Sequence, residues 1–217
     1  MSIKRLLRLA LLPLLIHAFP AMAGEPSAPA SPSRDEIRTM VLAQMPPAPE
    51  GFTWNMFHNA VFLEPKGWFI HDLQRPAQGP VIATHAMSPK DFSLQQQFET
   101  GFTVQVFSNL MKYGKPSPSK SAAMMQWDIT KSHAKEDIRY FSQADKGDFK
   151  VSWLEYRDAP PGLKPIIVRH FYLANDTTDN LNVFIFESPE SSWNQDWKTY
   201  GEVIFKRLSA IPAYPND

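Results

Sequence analysis

Three segments between residues 149 and 186 constrain the fold more than any other feature of this chain. Residues 149–156 begin with alternating apolar side chains, and residues 166–173 and 181–186 are apolar on both strand faces. Because the side chains of a β-strand alternate between faces, such strands need cover on both sides of their sheet. The turn-forming stretches 157–165 and 175–180 are short, which favours antiparallel neighbours. The pattern predicts a meander of three antiparallel strands.

A helix is predicted directly after these strands, beginning near Ser188 or Pro189. Its apolar residues recur every three or four positions and form one stripe. The stripe consists of Trp193, Trp197, Tyr200, Ile204 and Leu208. Residues 116–133 predict a second major helix, with Ala122, Met125 and Ile129 on its apolar face. Together these elements predict an α+β fold, a three-layer α/β/α sandwich whose mainly antiparallel sheet is covered by helices.

The N-terminus is typical of a secretory signal peptide, residues 1–23. Three basic side chains precede an apolar run from Leu9 to Phe19, and Ala21 and Ala23 form a cleavage site of the A-x-A type. An Ala/Pro/Ser-rich tether is predicted over residues 24–32, and a single globular domain over residues 33–217. The apolar run is too short to span a bilayer, and no transmembrane segment is predicted in the mature chain.

Charge and cysteine content exclude several classes of protein. Losing Lys4, Arg5 and Arg8 with the signal peptide leaves 19 of the 22 basic residues against 22 acidic ones. No basic stripe remains, which argues against nucleic acid as a partner. The absence of cysteine excludes disulfides, thiolate metal sites and a lipid anchor on cysteine. An exported protein of this kind is expected to be periplasmic or secreted, in a bacterium.

No catalytic motif is present. The sequence lacks G-x-S-x-G, a glycine-rich phosphate loop and any short histidine ligand pair, so we predict no cofactor and no metal. The candidate ligand or partner surface consists of Trp68, His71, His85 and His170. His71 and His85 could meet across adjacent strands. The alternative is that these histidines lie at the surface or are hydrogen-bonded in the core.

The order of the elements resembles that of a known family. Residues 61–68 end in Pro65, Lys66, Gly67 and Trp68, and the alternating strand 101–107, a helix, three strands and a last helix follow. This order is similar to the PsbP-like α/β/α sandwich, which photosystem II extrinsic proteins share with a nuclear-import factor that binds the GTPase Ran. The resemblance covers residues 52–209, including the family's Pro-x-Gly-Trp turn. It implies a binding or assembly role without catalysis.

We therefore expect an exported, non-catalytic binding or assembly protein that acts through contacts with a protein partner. One alternative is a periplasmic small-molecule carrier with an aromatic groove between sheet and helix. The other is a hydrolase whose site residues are dispersed in the sequence. The sequence leaves the partner, the pathway and the oligomeric state open.

Overall fold

The computed structural model describes residues 32–74, 79–93, 99–159 and 162–211. The predicted signal peptide and all but the last residue of the predicted tether lie outside these ranges. The first helix, α1 (Arg34–Ala43), has both hydrogen bonds of a capping box, because Ser33 and Glu36 each accept the backbone N–H of the other. Across the described part of the chain, no helix combines the length and apolarity needed to cross a membrane.

Ten strands form two antiparallel sheets among the described residues. The small sheet has the order β1-β2-β10, with β1 (Phe52–Phe57), β2 (Ala60–Pro65) and β10 (Ser209–Ala210). The large sheet has the order β3-β4-β5-β9-β8-β7-β6. Its strands are β3 (Phe69–Gln74), β4 (Val81–Ser88), β5 (Gly101–Ser108), β6 (Ile138–Lys146), β7 (Phe149–Asp158), β8 (Ile166–Asn175) and β9 (Asn180–Pro189). The predicted α+β fold with a mainly antiparallel sheet is confirmed.

In chain order, helix α2 (Pro118–Ser132) follows β5 and precedes β6. A C-terminal helix of residues 193–205 follows β9. The C-terminal helix consists of α3 (Trp193–Asp196), a π-helical turn (Trp197–Gly201) and α4 (Glu202–Phe205). Two short 3-10 helices span Met111–Tyr113 and Lys135–Asp137. The predicted start of the last helix near Ser188 is wrong, because Ser188 pairs with Ile167 and continues β9.

The large sheet is packed on both faces. On one face, α2 contributes Ala122 to a core with Leu154 and Tyr172. On the other face, the C-terminal helix and the small sheet share a core that contains Phe62 and Ile204. All five residues of the predicted stripe lie in or against this second core, but Leu208 lies beyond the last helical residue, Phe205. A second sheet as part of the cover was not predicted, because its pairing of β2 with β10 is long-range.

The ring of Trp197 leaves no space for a side chain at Gly201 in the C-terminal helix. A Cβ at Gly201 would clash with Trp197 Cε3 and would lie 3.1 Å from Phe186 Cδ1. Elsewhere in a helix, glycine to alanine is stabilising by about 0.5–1 kcal/mol. Here we expect Gly201→Ala to destabilise the protein by about 1–3 kcal/mol, because the core would be overpacked. Urea denaturation measures the free energy of unfolding directly.

Thr199→Ala is the matched control, because Thr199 is exposed in the same turn of the helix. Its expected change is within about 0.5 kcal/mol. A Gly201→Ala protein as stable as the unsubstituted protein would show that the Trp197 ring does not lie against this glycine.

Candidate functional site

The four candidate residues predicted from the sequence lie at separate places. Trp68 ends a turn in which Gly67 has φ of +79°, a conformation that favours glycine and explains the Pro-x-Gly-Trp pattern. The Trp68 ring packs edge-on against Tyr200, with ring centroids 4.9 Å apart. Trp68 therefore helps to fix the C-terminal helix against the small sheet.

His71 and His85 do not meet. The register of β3 and β4 pairs His71 with Ala86 and Asp72 with His85. Because directly paired residues share a face, the two histidines lie on opposite faces of the sheet. His71 Nε2 lies 3.4 Å from Asp91 Oδ1, in a half-exposed position at the sheet edge.

His85 is the centre of a polar network that joins the two sheets. Its Nδ1 donates to Asp72 Oδ1 at 2.5 Å, and its Nε2 lies 3.8 Å from Glu64 Oε2. The second distance is too long for a hydrogen bond. Glu64 also accepts from Asn55 at 2.6 Å, and Asn55 accepts from Arg38 at 2.8 Å.

The electrostatics of this network favour a structural role. His85, Asn55 and Arg38 lower the pKa of Glu64 against the opposing effect of its burial. His85 is buried against the rings of Phe57 and Phe62, so its free nitrogen faces the protein interior. Within the described ranges, no group of three acidic, histidine or cysteine side chains could hold a metal ion.

His170 is a hydrogen-bonded core histidine. Its Nδ1 lies 2.9 Å from the Tyr172 hydroxyl, and its Nε2 lies 3.4 Å from the Tyr156 hydroxyl. Burial lowers the pKa of His170 to about 3, so the ring is neutral and offers one donor and one acceptor. Burial also raises the pKa of both phenols. This cluster is enclosed beneath α2 and presents no reactive group to solvent.

An open surface lies instead along strand β6. This strand ends the large sheet, and no described strand pairs with its outer edge. Tyr140 and Phe141 lie near its centre and are 51% and 49% exposed. On the neighbouring helix α2, Trp127 is 59% exposed. Large aromatic side chains exposed beside an unpaired strand edge are typical of a binding surface.

Helix α2 runs antiparallel to β6. Gln143 of β6 donates to Gln126 of α2 at 3.4 Å, and the start of α2 lies near the end of β6 around a shared cavity. Trp127 follows Gln126 in the helix, and Phe141 lies two residues before Gln143 in the strand. The register places Phe141 and Gln143 on the face of the sheet that α2 covers.

The cavity between α2, β6 and β7 has a volume of about 430 Å³. A hydrogen-bonded chain crosses it, since Gln143 donates to Gln126 and Gln126 donates to the Ser152 hydroxyl. Gln126 is 3% exposed, which is unusual for an amide at a helix–sheet contact. Among the described residues that line the cavity, none is aromatic. This cavity therefore lacks the aromatic lining that was expected for the groove of a carrier.

Sequence reasoning missed this surface, although one signal was available. Gln126 follows Met125 and precedes Ile129 on the predicted apolar face of its helix. A polar residue in such a stripe is informative because buried amides need partners. Nothing in the sequence of residues 138–146 indicates that this strand ends the sheet.

The chain has a similarity to a solved structure at low sequence identity. The solution structure of cyanobacterial PsbP from Synechocystis sp. PCC 6803 is similar to this chain, with a TM-score of 0.44 and 13% identity. The match covers 76% of this chain and 95% of that one. No protein-family model and no curated protein matches the sequence.

Proposed function

We propose that this protein is an exported, non-catalytic binding protein that takes an extended segment of a partner protein onto strand β6. The exposed outer edge of β6 supports this proposal. An edge strand presents unpaired backbone N–H and C=O groups, and another extended chain satisfies them in register. The same edge carries Tyr140 and Phe141, which would pack against side chains of the added strand.

The middle of β6 lacks the usual protection of a sheet edge. Sheet edges are commonly blocked by charges, prolines or bulges. In β6 the irregular pairing lies at one end, between Ile138 and Tyr140, and the charges of Asp145 and Lys146 lie at the other. Residues 140–144 carry no charge and no proline. The opposite edge strand, β3, also exposes apolar side chains, but it is shorter and the cavity lies beside β6.

The proposal includes the three-layer α/β/α arrangement, with α2 over one face of the large sheet and the C-terminal helix over the other. It also includes export to the periplasm or beyond, which rests on the signal-peptide pattern of residues 1–23. The cavity of about 430 Å³ supports the alternative of a small-molecule carrier, although its lining contains polar side chains where aromatic ones were expected. Dispersed catalysis by His71, His85 and His170 has less support, because they lie apart.

Photo-crosslinking in intact producing cells tests the proposed function. A photoreactive amino acid at Phe141 or at Tyr140 should give the same discrete adduct with one protein. The control position is Leu163, which is apolar and 59% exposed but lies outside the strands, and it should give none. Mass spectrometry of the adduct identifies the crosslinked segment of the partner.

A synthetic peptide of that segment should bind the purified protein, and Phe141→Asp should weaken its binding about tenfold or more. Thermal unfolding of the variant checks that the fold is retained. Adducts of equal yield at Leu163 and Phe141, or none at either β6 position, would exclude β6 as the binding surface.

A further inference from the structure

We infer that the cavity between α2, β6 and β7 is a specificity pocket for one uncharged, hydrogen-bonding side chain of the bound segment, an amide or a hydroxyl. The inference rests on the function proposed above, because it concerns the side chains of the segment that pairs with β6. It specifies the chemical class of one side chain in that segment.

The position of the cavity follows from the strand register. Phe141, Gln143 and Asp145 point to the face that α2 covers, and the last two of them line the cavity. A strand added outside β6 has every second side chain on the same face. At least one side chain of the added strand would therefore lie beside the cavity, and another two residues away would lie beside Phe141.

The lining favours a ligand that donates and accepts hydrogen bonds. Gln143, Gln126 and Ser152 form a continuous polar chain from β6 through α2 to β7. An amide has two N–H groups and an oxygen with two lone pairs, so this chain retains donors and acceptors for a further partner. An apolar side chain would remove those groups from water without replacing their hydrogen bonds, which is unfavourable.

The charges around the cavity balance one another. Lys120 and Lys150 line it together with Asp145. Asp145 is paired with Lys150 in the register of β6 and β7, and Asp176 lies 3.7 Å from the Lys150 ammonium group. Two positive and two negative side chains select neither an anion nor a cation. The remaining selective feature is hydrogen bonding, which an uncharged amide or hydroxyl group satisfies.

A peptide library tests the inference. The probes are nine-residue peptides, acetylated and amidated, with a phenylalanine in a threonine and valine background and one varied position at two-residue spacing from it. Peptides with Asn, Gln, Ser or Thr at the varied position should bind the purified protein about tenfold more tightly than those with Leu or Asp. Gln126→Leu should abolish this preference while the Leu peptide still binds.

A second variant leaves the buried amides unchanged. Ala123 is exposed and lines the cavity, so Ala123→Leu should narrow its mouth without disturbing the core. It should weaken the Gln peptide more than the smaller Ser peptide. Binding that is equal for all side chains, or a preference that survives in Gln126→Leu, would overturn the inference and leave β6 as the binding strand. No binding of any peptide, with no adduct at Phe141, would overturn the proposed function as well.

Discussion

Arg169→Met should destabilise the protein by about 3–5 kcal/mol, the loss typical of a buried ion pair that keeps one partner. Arg169 Nε donates to Glu155 Oε2 at 2.6 Å, and its Nη2 donates to the same oxygen. Glu155 is only 7% exposed, so methionine would leave its carboxylate buried without a counter-charge. The guanidinium carbon also lies 3.9 Å from the centroid of the Trp197 ring, and this stacking would be lost.

Urea denaturation at neutral pH measures this effect, and a double-mutant cycle separates its causes. Arg169→Lys keeps the charge but loses the planar contact with Trp197, so we expect a smaller loss. Glu155→Gln combined with Arg169→Met removes both charges and should be less destabilised than Arg169→Met alone. A loss of less than about 1 kcal/mol in Arg169→Met would show that the pair is solvated in solution.

Glu187→Gln should stabilise the protein at pH 8 by about 2–3 kcal/mol and have little effect near pH 4.5. Burial, followed by the charge of Asp158, raises the pKa of Glu187 from 4.5 to about 7. The folded state therefore holds a proton between pH 4.5 and 7 that the unfolded state has lost. The favourable contribution of Glu187 is complete below pH 4.5, and it is lost as the pH rises through 7. Glutamine keeps the shape of the protonated acid and cannot ionise.

Denaturant titrations of both proteins from pH 4.5 to pH 8 give the difference in free energy of unfolding at each pH. Asp158→Asn is the control, because it removes the smaller cause and should move the transition to slightly lower pH. A difference between Glu187→Gln and the unsubstituted protein that stays constant over this range would show that Glu187 is ionised throughout.

The centre of the fold was predictable because its signals are local. The segments 149–156, 166–173 and 181–186 lie within β7, β8 and β9, since alternation and apolarity on both faces belong to each segment by itself. The spacing of the stripe from Trp193 to Ile204 also predicts the apolar face of the C-terminal helix, and Leu208 packs on the same core from beyond the end of that helix. The start of that helix was misplaced because pairing of Ser188 with Ile167 overrides the local helix signals.

The candidate surface could not be found in the same way. Whether His85 faces His71 or Asp72 depends on a register that two distant segments decide together. The position of β6 at the edge of the sheet depends on the order of seven strands. The sequence of residues 138–146 by itself does not indicate that position.

The sequence by itself thus determined the strand and helix periods, the turns and the absence of cysteine chemistry, because each of these depends on neighbouring residues or on composition. Only the tertiary structure decided the second sheet, the proximity of His85 to Glu64, the exposed edge of β6 and the cavity around Gln126. These features depend on contacts between residues far apart in the chain, and such contacts are selected by the packing of the whole core.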